Sequence, residues 1–496
     1  MSSTTSPRTT FQIVGASVQA GVAGQQVLFV GQKLATGSAV AKAVTEDIQI
    51  GTEDTLFGNN SILSQMIKRA RTVNKITRFD AIALDDNGSG SEAEGTVTFS
   101  GAATETADFV LQAGNDGFEY SITVTKDDTA AATATALAAA ITAASTYPFT
   151  AAAVAEVVTI TYVHEGTAGN EVKMQNTQGV AGITAVVVDL TGGAGVVDVA
   201  NIFDNLEERY QTIIYSQDLD QAVLTDYTES VFNLANEIKD GIGFICTTDT
   251  LANAKTALDL LNLKTLVNLY NLDEMLYFDI STNMASEICA LRALRLTEGA
   301  VLGSFVLDAV EAFGGREKAS LPYFNTPMLS LNLPVGRLTQ TNIDELIAAG
   351  GATFIPNPAN QIVMSELPTT YKKDGTGTDD PSFQYTNYVD TMSVVREFFS
   401  NNVKSTYGQT RATNGSLVPG KSITNPAAVK TFVVGLYKTL IDDALVQGGD
   451  EAITFFKTNL IVSLDAASGT FSLTSKVPIV TQARRFDGVI AIAFEF

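Results

Sequence analysis

Arg484-Arg485-Phe486-Asp487-Gly488-Val489-Ile490-Ala491-Ile492-Ala493-Phe494-Glu495-Phe496 reads as a strand that closes the chain without a polar tail. Ile490, Ile492, Phe494 and Phe496 alternate with Val489, Ala491, Ala493 and Glu495, the period of two that marks a strand with one face buried. Asp487-Gly488 supplies its start. Chain ends ordinarily fray, and an apolar strand left as a free edge invites pairing with other chains. This strand therefore requires cover, either from a sheet of its own chain or from a neighbouring subunit that takes it up by β-augmentation.

Working back from the terminal strand, Leu460 to Leu464 and Gly469 to Thr474 form a hairpin around Ala466-Ala467-Ser468. Two helices precede it. Val389 to Tyr407 carries Met392, Val395, Phe398 and Phe399, and Pro426 to Val446 carries Val429, Phe432, Val433, Leu436, Leu440 and Leu445, all at helical spacing. Strands Ala352 to Ile355 and Gln361 to Met364 come before them, so residues 351–496 read as an α+β C-terminal domain. At the opposite end, residues 1–10 are Ser/Thr-rich and lead into a short strand, Phe11 to Val18, with Phe11, Ile13 and Val18 as its apolar positions. Residues 1–20 thus read as an arm carrying a strand.

Between the two ends lies an α/β domain in two pieces, 21–90 and 196–350. Gln26-Val27-Leu28-Phe29-Val30 before Gly31 is the continuous apolar run of a strand buried on both faces. Ser61 caps a helix through Ile62, Leu63, Met66 and Ile67, and Phe79 to Leu84 returns to strand. The pattern resumes with strands Thr212 to Tyr215 and Gly243 to Cys246 and helices through Val231, Leu234, Ile238 and through Leu251, Leu258, Leu261. A long helical stretch from Met284, an extended passage through Pro322, Pro327 and Pro334, and a helix ended by Gly350-Gly351 follow. The turn-rich segment Asp85 to Ser91 opens an insertion, residues 91–195, rich in Ala, Thr, Val and Gly. Strands Thr96 to Phe99, Phe109 to Gln112, Tyr120 to Val124 and Val157 to Val163, with a helix opened by Asp128-Thr129, make it a small β-rich α+β module. The fold class is α/β and α+β multidomain.

Length and charge bound the function. At 496 residues the chain exceeds one core and suits about three domains, and no apolar run approaches the roughly 20 residues of a membrane span. The start Met1-Ser2-Ser3-Thr4-Thr5-Ser6-Pro7-Arg8 has neither the basic start nor the apolar core of a signal peptide, so a cytosolic chain is expected. Cys246 and Cys289 match no metal spacing and are expected as buried thiols. The net charge of −23 is uneven. From residue 351 onward there are 12 Lys+Arg against 13 Asp+Glu, which leaves 19 against 41 before it. The insertion alone has 2 against 12, a surface that repels copies of itself and suits the outside of an assembly. Only the C-terminal part can face an acidic partner without strong repulsion. No Lys/Arg cluster longer than two residues occurs, which argues against nucleic acid.

Motifs for catalysis are weak. Gly415-Ser416-Leu417-Val418-Pro419-Gly420-Lys421-Ser422 matches the phosphate-binding loop, but a polar stretch precedes it and Pro426 starts its helix late. A nucleotide-binding α/β enzyme built on Gly415 to Ser422 remains the rival reading from another class, and a capsid or tail decoration protein is a third. His164 is the single histidine, so any Ser-His-Asp relay or histidine metal site would have to be built on it. Asp442-Asp443 and Glu207-Glu208 are adjacent on helices and point to different faces. No catalytic, cofactor or metal-binding residue is assigned.

Several stretches resemble contractile phage tail sheath proteins, specifically the Mu-like branch. Gln26-Val27-Leu28-Phe29-Val30-Gly31-Gln32-Lys33-Leu34-Ala35-Thr36-Gly37 resembles the first strand and turn of that family. Phe57-Gly58-Asn59-Asn60-Ser61 resembles its FGxGS helix start, with Asn60 departing. Gly336-Arg337-Leu338-Thr339 to Gly350, then Leu367-Pro368-Thr369-Thr370-Tyr371, is similar to the approach to its C-terminal domain, and Asn414 to Gly420 with Thr424-Asn425-Pro426 to its C-terminal loop. The order of these stretches along the whole chain carries the resemblance.

The resemblance implies a structural subunit that polymerises as stacked hexameric rings around a tail tube and contracts to drive the tube through the host envelope. Its partners would be copies of itself, the tail tube protein, and baseplate and tail terminator proteins, with no direct nucleic acid and no membrane insertion. Its place would be the virion tail, assembled in the host cytoplasm, with no enzymatic activity and no cofactor. The C-terminal sheet would be completed by strands from neighbours: Phe11 to Val18 from one, and Val489 to Phe496, with Ile490, Ile492 and Phe494, from another. Joined to the charge asymmetry, it places Lys404, Lys430 and Lys438 toward the tube. On the same reading the acidic insertion is expendable for polymerisation.

Overall fold

The computed structural model describes residues 25–114, 118–203, 206, 208–216, 241–272, 281–302, 338–356, 362–364 and 366–480. The expected exchange strands, with Phe11, Ile13, Val18, Val489, Ile490, Ile492, Phe494 and Phe496, lie outside the described residues, as do the helix through Val231, Leu234 and Ile238 and the proline passage from Pro322. The described residues group into two compact units. One comprises those within Gly24–Glu298 and Ser320–Ser393, the other chiefly Val394–Val480, and the division falls inside the helix Thr386–Tyr407.

In the first unit the chain enters through β1 (Gln26–Gln32), β2 (Val44–Thr45) and β3 (Arg78–Leu84). It then leaves for the insertion: β4 (Glu92–Gly101), β5 (Ala107–Ala113), β6 (Phe118–Val124), a helix Ala130–Ala143, β7 (Phe149–Val154), β8 (Val157–Glu165), β9 (Met174–Gln178) and β10 (Ile183–Thr191). It returns as β11 (Thr212–Tyr215), β12 (Ile242–Asp249), β13 (Leu266–Leu272), β14 (Gly351–Pro356) and β15 (Ile362–Met364).

The returning strands join the first three in one eight-stranded sheet, ordered β15-β14-β13-β12-β11-β1-β3-β2. The six strands from β14 to β3 run parallel, and each end adds one antiparallel strand. Strands covered on both faces need apolar side chains on both, which is why Val27-Leu28-Phe29-Val30 and Ile213-Ile214-Tyr215 are fully buried. Phe29 meets Phe79 edge-on at 5.0 Å. The sheet crosses the expected domain break at Gly350-Gly351: Gly351, Ala352 and Thr353 pair with Asn268, Leu269 and Tyr270. Pairing with β13 thus draws the residues just after 350 into the α/β unit.

Local signals set the helix ends. Ser61, Thr250 and Thr339 each accept a hydrogen bond from the third residue beyond, the side-chain cap of a helix start. Asn60 stands where the FGxGS pattern has its second glycine, and its φ is 47°. That is the left-handed region glycine and asparagine tolerate best, so the departure preserves the backbone.

The insertion is two sheets, β10-β4-β8-β7 and β6-β5-β9, enclosing Val97, Phe99, Phe109, Leu111, Leu137, Ile141, Ile160 and Tyr162. Phe99 and Phe109 meet edge-on across the sheets at 5.1 Å. Its two ends close in one antiparallel bridge: Ser91 N–H donates to Ala194 O at 2.7 Å and Ala194 N–H to Ser91 O at 3.0 Å.

In the second unit, the helices Pro426–Asp442 and Asp450–Asn459 pack with the end of Thr386–Tyr407 around Phe398, Val433, Leu436, Leu440 and Phe456. Phe456 stacks on Tyr437 at 4.3 Å and on Phe399 at 5.9 Å. Short parallel strands β16 (Arg411–Ala412) and β17 (Ile423–Thr424) pinch the loop between them, and β18 (Ile461–Asp465) pairs with β19 (Thr470–Thr474) as the expected hairpin.

One buried ion pair ties the α/β unit together away from its sheet core. Arg292, on the helix Ser281–Leu302, is 1% exposed and pairs with Asp390. Its Nη1 donates to Gln211 O at 3.2 Å and to Thr212 Oγ1, and its guanidinium faces the Phe244 ring. Arg292→Ala takes the main counter-charge from buried Asp390, a loss of about 3–5 kcal/mol. Urea unfolding should show a lower midpoint with an unchanged slope.

Candidate functional site

Parallel α/β sheets place ligands in the crevice at the carboxyl ends of the strands, where outgoing connections diverge. Here that point lies between β1, which leads to β3, and β11, which leads the other way to β12. The helices that follow β1 and β13 offer their amino ends on this side, each with backbone N–H groups that lack an intrahelical acceptor. The insertion fills the crevice.

At the helix Ile62–Val73, His164 Nε2 accepts from Ile62 N–H at 3.2 Å, and its Nδ1 donates to Asp86 Oδ1 at 2.9 Å. The acceptor role of Nε2 fixes the tautomer with the proton on Nδ1. Gln32, closing β1, donates from Nε2 to Asp86 Oδ1 at 3.1 Å and to Glu165 O at 3.0 Å. Histidine and aspartate adjoin as in a catalytic relay, but the nitrogen that would face a nucleophile is held by a helix N–H, and His164 is fully buried. The imidazole caps a helix rather than moving a proton.

At the helix Ser281–Leu302 a carboxylate does the same work. Glu171 Oε2 accepts from Ser281 N–H at 2.7 Å, and Oε1 accepts from Ser281 Oγ at 3.0 Å and from Thr248 N–H at 3.1 Å. A negative group at a helix start is favoured by both the free donors and the helix dipole. Cys246 lies beside it. Burial, with Glu171 adding to it, pushes that thiol well above its ordinary range, and burial does the same to Cys289.

Asp54 fastens the start of the helix Ile62–Val73. Its Oδ1 accepts from Asn60 N–H at 2.9 Å, Ser64 Oγ at 2.6 Å and Lys68 Nζ at 2.7 Å. Burial works to raise this carboxyl, and the hydrogen bonds from Lys68, Ser64 and Asn60 outweigh it and hold it below the usual range.

The second unit presents a different surface. The hairpin β18-β19 has no third strand among the described residues. Val462 pairs with Leu473 and Leu464 with Phe471, giving one apolar face. That face is covered at Leu464, 9% exposed, and open at Leu473, 38% exposed, while Ile461 on the other face is 63% exposed. Lys404 and Lys438 are exposed and Lys430 half-buried. Composition by halves missed Arg411 and Lys421, also exposed. The signal was in the sequence: between Glu397 and Asp442 there are five basic residues and no acidic one. None of the five has an ion-pair partner among the described residues, whereas Lys42, Lys68, Lys173 and Lys255 are paired.

The loop that matches the phosphate-binding pattern is built otherwise. Gly420 has φ 74°, and Lys421 leads into β17 rather than a helix. Asn425 Nδ2 donates to Gly415 O at 3.0 Å and its side-chain oxygen caps the helix that Pro426 begins. It is a connecting loop fastened at both ends.

No family model matches the chain. It is similar to the Mu-like prophage FluMu tail sheath protein of Haemophilus influenzae, at 26% identity over 451 residues covering 89% of this chain and 87% of the relative. Among solved structures it is similar to the sheath tail protein of Desulfitobacterium hafniense, with 13% identity and a TM-score of 0.45 over 93% of this chain and 98% of that one. It is also similar to the helical sheath of the anti-feeding prophage in its contracted state, with 10% identity and a TM-score of 0.48 over 100% of this chain and 99% of that one. The similarity to the Haemophilus influenzae relative bears out the resemblance over 89% of this chain.

Because the Asp54 carboxyl is lowered in the folded protein, its contribution is fully present above the unfolded value of about 3.9 and is lost as pH falls through the folded value. Melting of the wild type and of Asp54→Asn should differ most near neutral pH. The two curves should converge as pH falls below about 4.

Proposed function

We propose that this chain is the structural subunit of a contractile tail sheath, polymerising as stacked hexameric rings around a tail tube and shortening to drive the tube through a cell envelope. The observation that carries the reading is the end-to-end similarity to a tail sheath protein, 89% of this chain against 87% of the relative. In this reading the chain is not an enzyme. Its partners are its own copies, the tube, the baseplate and the terminator of a virion tail assembled in the host cytoplasm.

The subunits are linked by exchanged strands. A two-stranded hairpin is marginal alone, and β18-β19 has no further strand partner among the described residues and a partly open apolar face. The segments Phe11 to Val18 and Val489 to Phe496 have the alternation to extend that sheet from neighbouring chains. Main-chain bonds can persist while lateral contacts rearrange, the property a contracting lattice needs. The surface with Lys404, Lys430 and Lys438, joined by Arg411 and Lys421 from the same acid-free stretch of sequence, faces the tube. The insertion, residues 91–195, lies on the outside.

Ile490, Ile492 and Phe494 would each contribute about 1.5–3 kcal/mol on burial in a neighbour's sheet. Removing residues 489–496 should leave a folded, dispersed subunit in sedimentation, with melting close to wild type and no tubes by electron microscopy. Tubes of normal length from the truncated chain would end the strand-exchange reading. A monodisperse wild-type oligomer with saturable ATP binding lost in Lys421→Ala would instead support the nucleotide-binding rival.

Charge reversal tests the tube face separately. Lys430→Glu with Lys438→Glu should still allow the sheath to polymerise alone but prevent co-assembly around tubes. Unchanged decoration of tubes would remove these lysines from the interface.

A further inference from the structure

We infer that the inserted module is an intramolecular ligand of the α/β core: the Glu171 carboxylate is the occupant of an anion site formed by Ser281 and Thr248. The donors described for it belong to the core. Its donors are the first backbone N–H of the helix Ser281–Leu302, the Ser281 hydroxyl and the Thr248 N–H near the end of β12. Cys246 O, also in the core, lies 3.1 Å from Ser281 Oγ and competes with Glu171 for the same hydroxyl proton. The occupant comes from the module and is 9% exposed.

Three features distinguish this from incidental packing. All three donors converge on one carboxylate with charge-assisted geometry. The module reaches a second helix start in the same way through His164, so both contacts address helix amino ends and neither reads a core side chain's apolar surface. The module is acidic, with 12 carboxylates to 2 bases, and among its described residues Glu171 is the carboxylate buried against the core's donors. A module expected from the resemblance to be expendable for polymerisation is thus bound into the core it interrupts. The inference is independent of the sheath reading, since it concerns the dispersed subunit.

The test is hydrogen exchange by mass spectrometry on the full chain, comparing wild type, Glu171→Ala and, as an exposed-carboxylate control, Glu156→Ala. Peptides containing Thr248 and Ser281 should exchange on the order of 10- to 100-fold faster in Glu171→Ala. Sodium acetate should restore protection there, while sodium chloride at equal ionic strength should not. Unchanged exchange at these peptides would overturn the inference, as would faster exchange that acetate leaves untouched or that spreads evenly over both units. Should Glu171→Ala prove insoluble, Glu171→Gln keeps the shape and one acceptor. It should lose part of the protection at the same two peptides, and full protection in that variant would equally overturn the proposal.

Discussion

A helix that follows a parallel strand begins with backbone N–H groups that have no carbonyl to bind, and it begins at the carboxyl edge of the sheet, where they meet solvent or a ligand. That constraint governs the first unit. The helices Ile62–Val73 and Ser281–Leu302 both open on this edge, and the chain answers with His164 at one and Glu171 at the other. The burial of the single histidine goes with meeting those donors from within. A fold that elsewhere holds ligands at this edge here holds part of itself.

The second unit has the opposite condition. Its hairpin satisfies one edge of each strand and leaves the others without strand partners among the described residues. Between Glu397 and Asp442 its basic side chains have no ion-pair partner among the described residues, unlike the paired lysines of the first unit. The first unit meets its helix starts from within, while the second leaves strand edges and a run of basic side chains without partners among the described residues. This is the distribution expected when the first is scaffold and the second makes contacts with other chains.

Much of the element order was legible because the signals were local. Val27 to Val30 could only be a strand buried on both faces, Thr129, Thr250 and Thr339 sit where helix starts need them, and Asn60 replaces a glycine at a left-handed residue. The crevice was not legible. Glu171 sits in a short turn, Ala168–Glu171, with no periodicity to mark it, and its partners are 77 and 110 residues away in the chain. The membership of Gly351 to Pro356 in the central sheet was hidden for the same reason, since parallel pairing with β13 has no sequence register of its own. Asp450–Asn459 was missed as a helix because Gly448-Gly449 before it and the strand after it leave a short segment that reads as loop.

The stem of the insertion carries a historical consequence. Its ends meet at Ser91 and Ala194 within a single bridge, so a foreign segment of any length could enter there without shifting a strand of the sheet, at the small entropic cost of a longer surface loop. Entry of that kind is reversible only while the host keeps its own means of satisfying the helix starts. With Glu171 and His164 on those donors, excising the segment would leave each helix start with an N–H stripped of its partner. Excision would then cost more than insertion. Descendants of such a chain are expected to vary freely in the module's outer strands while retaining the short stretch from His164 to Glu171, a ratchet in which an ornament becomes a structural necessity without acquiring a task of its own.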